Sequence, residues 1–167
     1  MGLLAATATA APPSSDLLDA VRTGDAGRVR ALMAKKGVDI RQTAPDGSTA
    51  LHLAVQRDDE AMVALLLGAG ADAGVANRYG VPPLAIAAVN GHAGILTRLL
   101  EAGASPHVGL SADETPLMTA ARTGQVAALR VLLARGAQVN ARDTKGQTPL
   151  MWAAARNNAD AVDRKSV

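Results

Sequence analysis

The stretch "DETPLMTAARTG", residues 113–124, is written again 33 residues later as "GQTPLMWAAARN", residues 146–157. The same interval separates four leucines and four glycines along the chain. They are Leu51, Leu84, Leu117 and Leu150, and Gly37, Gly70, Gly103 and Gly136. A fixed period over most of a chain of 167 residues predicts stacked units, each of which buries its apolar face against its neighbours.

Each unit carries the local signals of two short helices. Thr115 can cap a helix with its hydroxyl group, and Pro116 then takes the first helical position, where a missing N–H costs nothing. Leu117 and Ala121 follow at the spacing of a buried helix face. The stretch "VAALRVLLARG", residues 126–136, predicts a second helix that its glycine ends in a left-handed conformation.

The unit openings carry a recognisable signature, T-P-L-x-x-A. They read "GSTALHLAV", "GVPPLAIAA", "DETPLMTAA" and "GQTPLMWAA". This signature, at a period of 33 residues, resembles the ankyrin repeat. The resemblance implies an all-α solenoid of helix-turn-helix units joined by β-hairpin fingers.

The fingers are expected to turn at glycines with positive φ, namely Gly47, Gly80 and Gly146. In the fourth unit Asp113 stands at that position, and we expect it to adopt the same left-handed conformation. In the third unit Pro82 replaces the capping threonine. That helix start is therefore predicted to be the weakest of the array.

The period divides the chain into six segments. They are a flexible tail or signal-peptide remnant (1–13), an N-terminal capping repeat (14–44), repeats at 45–77, 78–110 and 111–143, and a partial fifth repeat (144–167). In the last segment Lys165 and Ser166 stand where a second helix should carry two leucines. This pattern predicts a truncated protein, and a polar end cap is the alternative.

Composition restricts the classes of partner and compartment. The formal charge is +2 and there is no Cys, so no disulfide or thiolate site can form. The start "MGLLAATATAAPPSS" resembles the end of a secretory signal but lacks a basic n-region. Together with the Ala/Arg/Gly-rich composition it favours a bacterial protein that is periplasmic or secreted, with a cytoplasmic location as the alternative. No segment is apolar enough for a membrane span, and no basic stripe indicates nucleic acid.

The side chains needed for catalysis do not cluster in the sequence. His52, His92 and His107 lie in different units, and the resemblance implies that His52 hydrogen-bonds backbone near a finger. The acidic run 58–60 is expected at the start of a second helix, where it complements the helix dipole. Trp152 is expected to pack in the core. We therefore predict a protein that is not an enzyme, with no catalytic, cofactor-binding or metal-binding residues and no cofactor.

The resemblance implies binding of another protein through the concave face of fingers and inner helices. The residues carried over to that face are Arg57, Arg78, Tyr79, Asn90, Arg122, Lys145 and Arg156. Arginine and tyrosine side chains suit an acidic, partly apolar protein surface. The alternative for these positions is that they are ordinary solvated charges.

Three functions remain open from the sequence. The first is a protein–protein interaction scaffold. The second is a dedicated inhibitory or regulatory subunit of one enzyme or toxin, and the third is the accessory repeat region of a larger enzyme. We expect a monomer, with self-association possible through the unfinished C-terminal repeat.

Overall fold

The computed structural model describes residues 13–35, 37–111 and 113–156. The predictions of a signal-like start and of a truncated last helix fall on residues 1–12 and 157–167, outside the described residues. Within the described ranges the chain forms nine helices. They are α1 (Pro13–Thr23), α2 (Ala26–Met33), α3 (Ala50–Gln56), α4 (Glu60–Gly68), α5 (Pro83–Asn90), α6 (Ala93–Glu101), α7 (Pro116–Thr123), α8 (Val126–Ala134) and α9 (Pro149–Ala155).

The helices stack in two layers. The odd-numbered helices, here called the inner helices, contact one another in the order α1, α3, α5, α7, α9. The second helices α4, α6 and α8 stack on one another in the same way, and the two helices of each repeat also pack together. This arrangement confirms the predicted all-α solenoid, in which each helix pair contacts mainly its neighbours.

The core consists of aliphatic side chains, because the chain has no Phe. One continuous cluster runs from α1 to α9, with leucines such as Leu51, Leu84 and Leu117 fully or almost fully buried. Alanines on the inner helices are buried between them, which allows the helices to approach closely. Burying one leucine side chain stabilises the fold by about 1.5–3 kcal/mol.

The inner helices begin as their sequences predict, with one variation. Thr115 accepts a hydrogen bond from the Met118 N–H at 3.3 Å, and Thr148 accepts one from the Met151 N–H at 3.4 Å. A proline follows each threonine at the first helical position. Helix α5 starts after Pro82 without any side-chain cap, as expected. The relative weakness of that start remains a prediction.

The fingers are narrow hairpins rather than extended ladders. Gly47, Gly80 and Gly146 have φ values of 80°, 75° and 75°, as predicted for their turns. Each of these fingers is closed by a backbone hydrogen bond across the turn, for example from the Asn77 N–H to the Val81 carbonyl oxygen at 3.0 Å. Isolated bridges pair Thr43 with Thr49 and Ser111 with Glu114, and they are the only β-pairing in the described residues.

The turn of the fourth finger differs from the other three, and the left-handed conformation of Asp113 remains a prediction. The fourth finger closes one residue later than the others, through a hydrogen bond from the Glu114 N–H to the Ser111 carbonyl oxygen at 3.3 Å. Gly109 leaves space there for the Glu114 carbonyl group, which a Cβ atom would contact. The fourth finger thus has its own local geometry.

A left-handed aspartate lies in the turn between α3 and α4. Asp58 has a φ of 55°, and the equivalent positions in other repeats are Gly24, Gly91 and Gly124. Its neighbour Asp59 caps α4 by accepting a hydrogen bond from the Met62 N–H at 2.9 Å. The predicted helix-dipole role thus applies to Asp59 and Glu60, whereas Asp58 stands outside the helix in a conformation that favours glycine.

Candidate binding face

The residues predicted for partner binding form two rows at opposite ends of the inner helices. Arg78, Tyr79 and Lys145 lie in fingers, which precede the inner helices. The other row lies at the helix C-termini and comprises Arg57, Asn90, Arg122 and Arg156. Because an inner helix of eight residues spans only about 12 Å, one partner surface can contact both rows.

Arg57 connects two repeats. Its Nη1 group donates a hydrogen bond to the Arg22 carbonyl oxygen at 2.7 Å, near the C-terminal end of α1. Its guanidinium group also lies against Gly24, where a Cβ atom would collide with it. A cation at a helix C-terminus satisfies an otherwise unpaired carbonyl group and complements the helix dipole. Arg57 is exposed, but part of its donor capacity stabilises the first repeat.

Arg122 is the most constrained residue of the set. Its Nη2 group lies 3.1 Å from Glu114 Oε1, and only 16% of the Glu114 side chain is exposed. The same carboxylate oxygen accepts a hydrogen bond from the Thr119 hydroxyl group at 2.6 Å. The Arg122 guanidinium also lies over the Trp152 ring, 5.5 Å from its centroid. Arg122 is therefore part of the fourth repeat's own polar network.

Trp152 also belongs to this network. Its indole N–H donates a hydrogen bond to Asp143 Oδ2 at 3.1 Å. Burial acts to raise the pKa of Asp143, but hydrogen bonds from the Gln147 N–H, the Trp152 indole and the Lys145 N–H outweigh it and lower the pKa. Trp152 is half-buried, which lets its polar edge find a partner, and the packing of its ring in the core remains a prediction.

The charged groups of three cations of the face lack a direct partner in the part of the chain that the structure describes, although the Lys145 charge acts electrostatically on Asp143. Within the described ranges, no hydrogen bond or ion pair involves the charged groups of Arg78, Lys145 or Arg156. All three residues are exposed. Tyr79, beside Arg78, is 75% exposed, the highest value among the exposed large hydrophobic residues. Their positively charged and aromatic groups are available to a partner.

The tip that carries Arg78 and Tyr79 is held firmly despite its exposure. The Asn77 side-chain oxygen accepts hydrogen bonds from the Tyr79 and Val81 N–H groups at 3.0 and 3.1 Å. The Arg78 N–H donates across to the Asp46 carbonyl oxygen on the second finger at 3.0 Å. The backbone of the tip is thus ordered by these contacts and needs little further ordering when a partner binds.

The histidines have structural surroundings. His52 is fully buried and hydrogen-bonds backbone on both sides, as the resemblance implied. His92 is half-buried in the turn before α6, with Nδ1 3.3 Å from Asp58 Oδ1, and His107 is exposed. Across the described residues, no group of three or more His, Asp or Glu side chains is arranged to hold a metal ion.

A comparison with protein-family models identifies the family. The model described as "Ankyrin repeats (3 copies)" matches residues 17–109 and 103–164, which together make up most of the chain. The chain is an ankyrin repeat protein. Ankyrin repeats generally mediate protein–protein interactions and are typically non-catalytic. No curated protein matches the chain. None of its described helices is both long and apolar enough to cross a bilayer.

The ion pair of the ankyrin protein's fourth repeat was missed by sequence reasoning. Glu114 and Arg122 are eight residues apart, and Trp152 belongs to the next repeat, so no helical spacing indicates that they meet. One signal was present. The position of Glu114 holds Ser48, Val81 and Gln147 in the other repeats, so a carboxylate there was an irregularity.

Proposed function

We propose that this ankyrin array binds one partner protein, with an acidic and partly apolar surface, through the face formed by the fingers and inner helices. The observation that supports this proposal is a set of exposed cations whose charged groups make no hydrogen bond or ion pair in the described residues, Arg78, Lys145 and Arg156, beside the exposed Tyr79. Arginine can form paired hydrogen bonds to a carboxylate, and tyrosine adds contact area with little loss of conformational entropy.

The seven predicted residues then divide into contacts and supports. The contacts are made by Arg78, Tyr79, Lys145 and Arg156. Asn90 lies between Arg57 and Arg122 in the row at the helix C-termini. Arg57 and Arg122 support the face, since one caps α1 and the other pairs with Glu114. Arg122 still presents a flat cation–aromatic surface with Trp152, against which an apolar partner group can pack.

The test is capture of partners from an extract of the source cells, separated into exported and internal pools. One variant carries Arg78→Glu, Lys145→Glu and Arg156→Glu. A matched control carries Arg30→Glu, Lys35→Glu and Arg130→Glu, which change the charge equally at exposed positions away from the proposed contacts. Arg57 and Arg122 stay unchanged because replacing them alters contacts within the fold.

The proposal is supported if the natural chain and the control variant capture the same proteins and the variant with three changed contact residues does not capture them. Each contact that carries more than about 1 kcal/mol contributes several-fold in affinity, so the triple change should weaken binding at least about tenfold. Binding should also weaken as salt is raised. Equal capture by all three chains would refute the proposed face. The pool that contains the partner would test the prediction of export.

A further inference from the structure

Two donors in the fourth repeat converge on one oxygen atom of Glu114. Glu114 Oε1 accepts a hydrogen bond from the Thr119 hydroxyl group at 2.6 Å, and it lies 3.1 Å from Arg122 Nη2. The Arg122 guanidinium group lies over the Trp152 ring, 5.5 Å from its centroid. A hydroxyl donor and a guanidinium group held by an aromatic ring are groups that bind a carboxylate well. These side chains therefore surround a carboxylate that the chain itself supplies.

The stacking of the repeats does not depend on this cluster. The three positions of Glu114, Thr119 and Arg122 hold other residue types in the neighbouring repeats. They are Ser48, Leu53 and Gln56 in the second repeat, Val81, Ile86 and Val89 in the third, and Gln147, Trp152 and Ala155 in the fifth. The inner helices α3, α5 and α9 nevertheless stack in the same order as α7. The cluster is therefore an addition to the repeat, which leaves it free to serve recognition.

The cluster can be reached from the proposed binding face. The Arg122 side chain is 31% exposed, whereas that of Glu114 is 16% exposed. A carboxylate that arrives from a partner can therefore approach the guanidinium group from its solvent side. The contact between Glu114 and Arg122 joins Nη2 to Oε1, and the backbone on both sides of Glu114 limits its approach. A carboxylate on a partner's side chain can align both oxygen atoms with the guanidinium fork, which is the stronger arrangement.

The first repeat provides a comparison within the same chain. Arg22 and Arg122 both stand two residues before a turn glycine, Gly24 and Gly124. Arg22 pairs with Asp19 at 3.3 Å, and about half of each side chain is exposed. Water competes for such an exposed pair, so it binds a further carboxylate weakly. The site around Arg122 differs because its fully buried hydroxyl donor, Thr119, and the half-buried Trp152 ring exclude water from one side.

We propose that Arg122, Thr119 and Trp152 form a carboxylate-binding site, which Glu114 occupies in the free chain and which an acidic side chain of the partner occupies in the complex. The displaced Glu114 carboxylate then faces water, so the exchange leaves no charge buried without a partner. This inference rests on the proposed function for the part that concerns the partner. The site itself is a property of the chain alone and can be tested with acetate as the probe.

The first experiment restores the missing carboxylate of a Glu114→Ala variant. Acetate has the size of the group that this substitution removes. Trp152 is the only tryptophan, so its indole N–H gives one NMR signal that can be followed as sodium acetate is added. Sodium chloride at the same ionic strength is the control. We expect a saturable shift in the variant with a dissociation constant on the order of 10 mM. The natural chain should not saturate below about 100 mM, because its tethered carboxylate outcompetes a dissolved one.

Two further variants identify the groups that bind acetate. Glu114→Ala combined with Arg122→Met keeps an unbranched side chain near Trp152 but has no cation, so acetate should act like chloride. Glu114→Gln keeps an acceptor for Thr119 without a charge, and it replaces the alanine variant if that variant does not fold. Its Trp152 signal should respond at lower acetate concentrations than in the natural chain. The inference is overturned if acetate acts like chloride on Glu114→Ala, if the response survives Arg122→Met, or if Glu114→Gln, used in its place, responds like the natural chain.

The second experiment measures the affinity for the protein captured in the extract test. Glu114→Ala should bind it at least about fivefold more tightly than the natural chain, because no internal carboxylate has to be displaced. The matched control is Asp19→Ala, which removes a carboxylate from Arg22 in the first repeat and should change the affinity less than about twofold.

Two results of this measurement would overturn the exchange of carboxylates. One is an affinity of Glu114→Ala no higher than that of the natural chain. The other is an equal gain in Asp19→Ala, which would indicate a general effect of charge. Failure to capture any partner, with the acetate response intact, would count against the proposed function and leave the carboxylate-binding site standing.

Discussion

The second and fourth repeats share one backbone plan and differ in how they use their polar residues. Leu51 in α3 and Leu117 in α7 occupy the same position and are both buried. In the second repeat a neutral imidazole, His52, reaches forward to the next finger. In the fourth repeat an ion pair, Glu114 with Arg122, closes within the repeat and stacks on Trp152.

This difference shows that the repeat period fixes the packing but leaves the polar contacts free to vary. Arg122 of the fourth repeat pairs with Glu114 and stacks on Trp152 of the next repeat, whereas the charged group of Arg78, on the finger ahead of the second repeat, has no hydrogen bond or ion pair in the described residues. Arginines on different repeats of a solenoid therefore do not share one role. The roles depend on which neighbouring side chains are within reach.

The largest expected effect comes from truncating a buried leucine in each of the two repeats. It tests whether the two repeats are packed equally well. Leu51→Ala and Leu117→Ala each remove a side chain with 0% and 2% exposure, respectively. We expect each to lower the free energy of unfolding by about 2–5 kcal/mol, since the cavity adds to the lost burial. Urea unfolding followed by circular dichroism measures both. A loss below about 1 kcal/mol in either variant would mean that its repeat is loosely packed.

The next effect concerns the ion pair of the fourth repeat. Glu114→Ala removes the acceptor of Thr119 and Arg122 from a half-buried site, and we expect a loss of about 1–3 kcal/mol. The control is Glu60→Ala, which breaks the ion pair between Glu60 and Arg98. In that pair 45% of the Arg98 side chain and 49% of the Glu60 side chain are exposed. That exposed pair should contribute less than about 1 kcal/mol. Equal losses in the two variants would remove the distinction between the sites.

A pH dependence is expected from the second repeat. Burial lowers the pKa of His52 in the folded chain below the value of 6.5 expected when unfolded. The unfolded chain therefore binds a proton first, and stability falls as the pH drops below about 6.5. Asp46 and Asp143 have lowered pKa values and stabilise the fold above about 3.8, so their contribution is lost only at lower pH. Thermal unfolding across this range should show a smaller dependence in His52→Gln.

The smallest expected effect concerns the turn that follows α3, the inner helix of the second repeat. Asp58 holds a φ of 55° where the fourth repeat has Gly124 with a φ of 71°. We expect Asp58→Gly to raise the free energy of unfolding by about 0.5–1 kcal/mol, because glycine adopts this conformation without strain. The change also removes the contact with His92 Nδ1, and because only 16% of the His92 side chain is exposed this loss offsets part of the gain. The reverse change, Gly124→Asp, should destabilise the chain, and a stabilising result there would contradict this explanation.

Much of the fold was predictable from the sequence because its signals are local. Thr115 and Pro116 mark a helix start, and Gly136 follows a helix end with a φ of 82°. The position of the fourth finger's turn was not predicted, because this turn closes one residue later than the others and Gly109 lets the backbone approach Glu114. A rule based on one position could not detect that local rearrangement.

The candidate site was predictable only as a set of positions. The period places Arg57 and Arg156 at one equivalent position and Arg122 one residue earlier in its repeat, and the structure gives Arg57 and Arg122 different contacts. Arg57 donates a hydrogen bond to a carbonyl group near the end of α1. Arg122 pairs with Glu114 and stacks on Trp152. The charged group of Arg156 has no hydrogen bond or ion pair in the described residues. These contacts join residues between eight and thirty-five positions apart. No local pattern encodes them.

The sequence by itself determined that this protein is an array of ankyrin repeats with inner helices in a fixed register. Periodic burial of leucine and alanine, helix caps and turn glycines are short-range properties that a linear pattern records. The tertiary structure alone decided which cations are engaged, how the third finger is tied to His52, and where Trp152 lies. Those outcomes depend on distances of a few ångströms between side chains far apart in the chain, and the short range of hydrogen bonds makes such distances decisive.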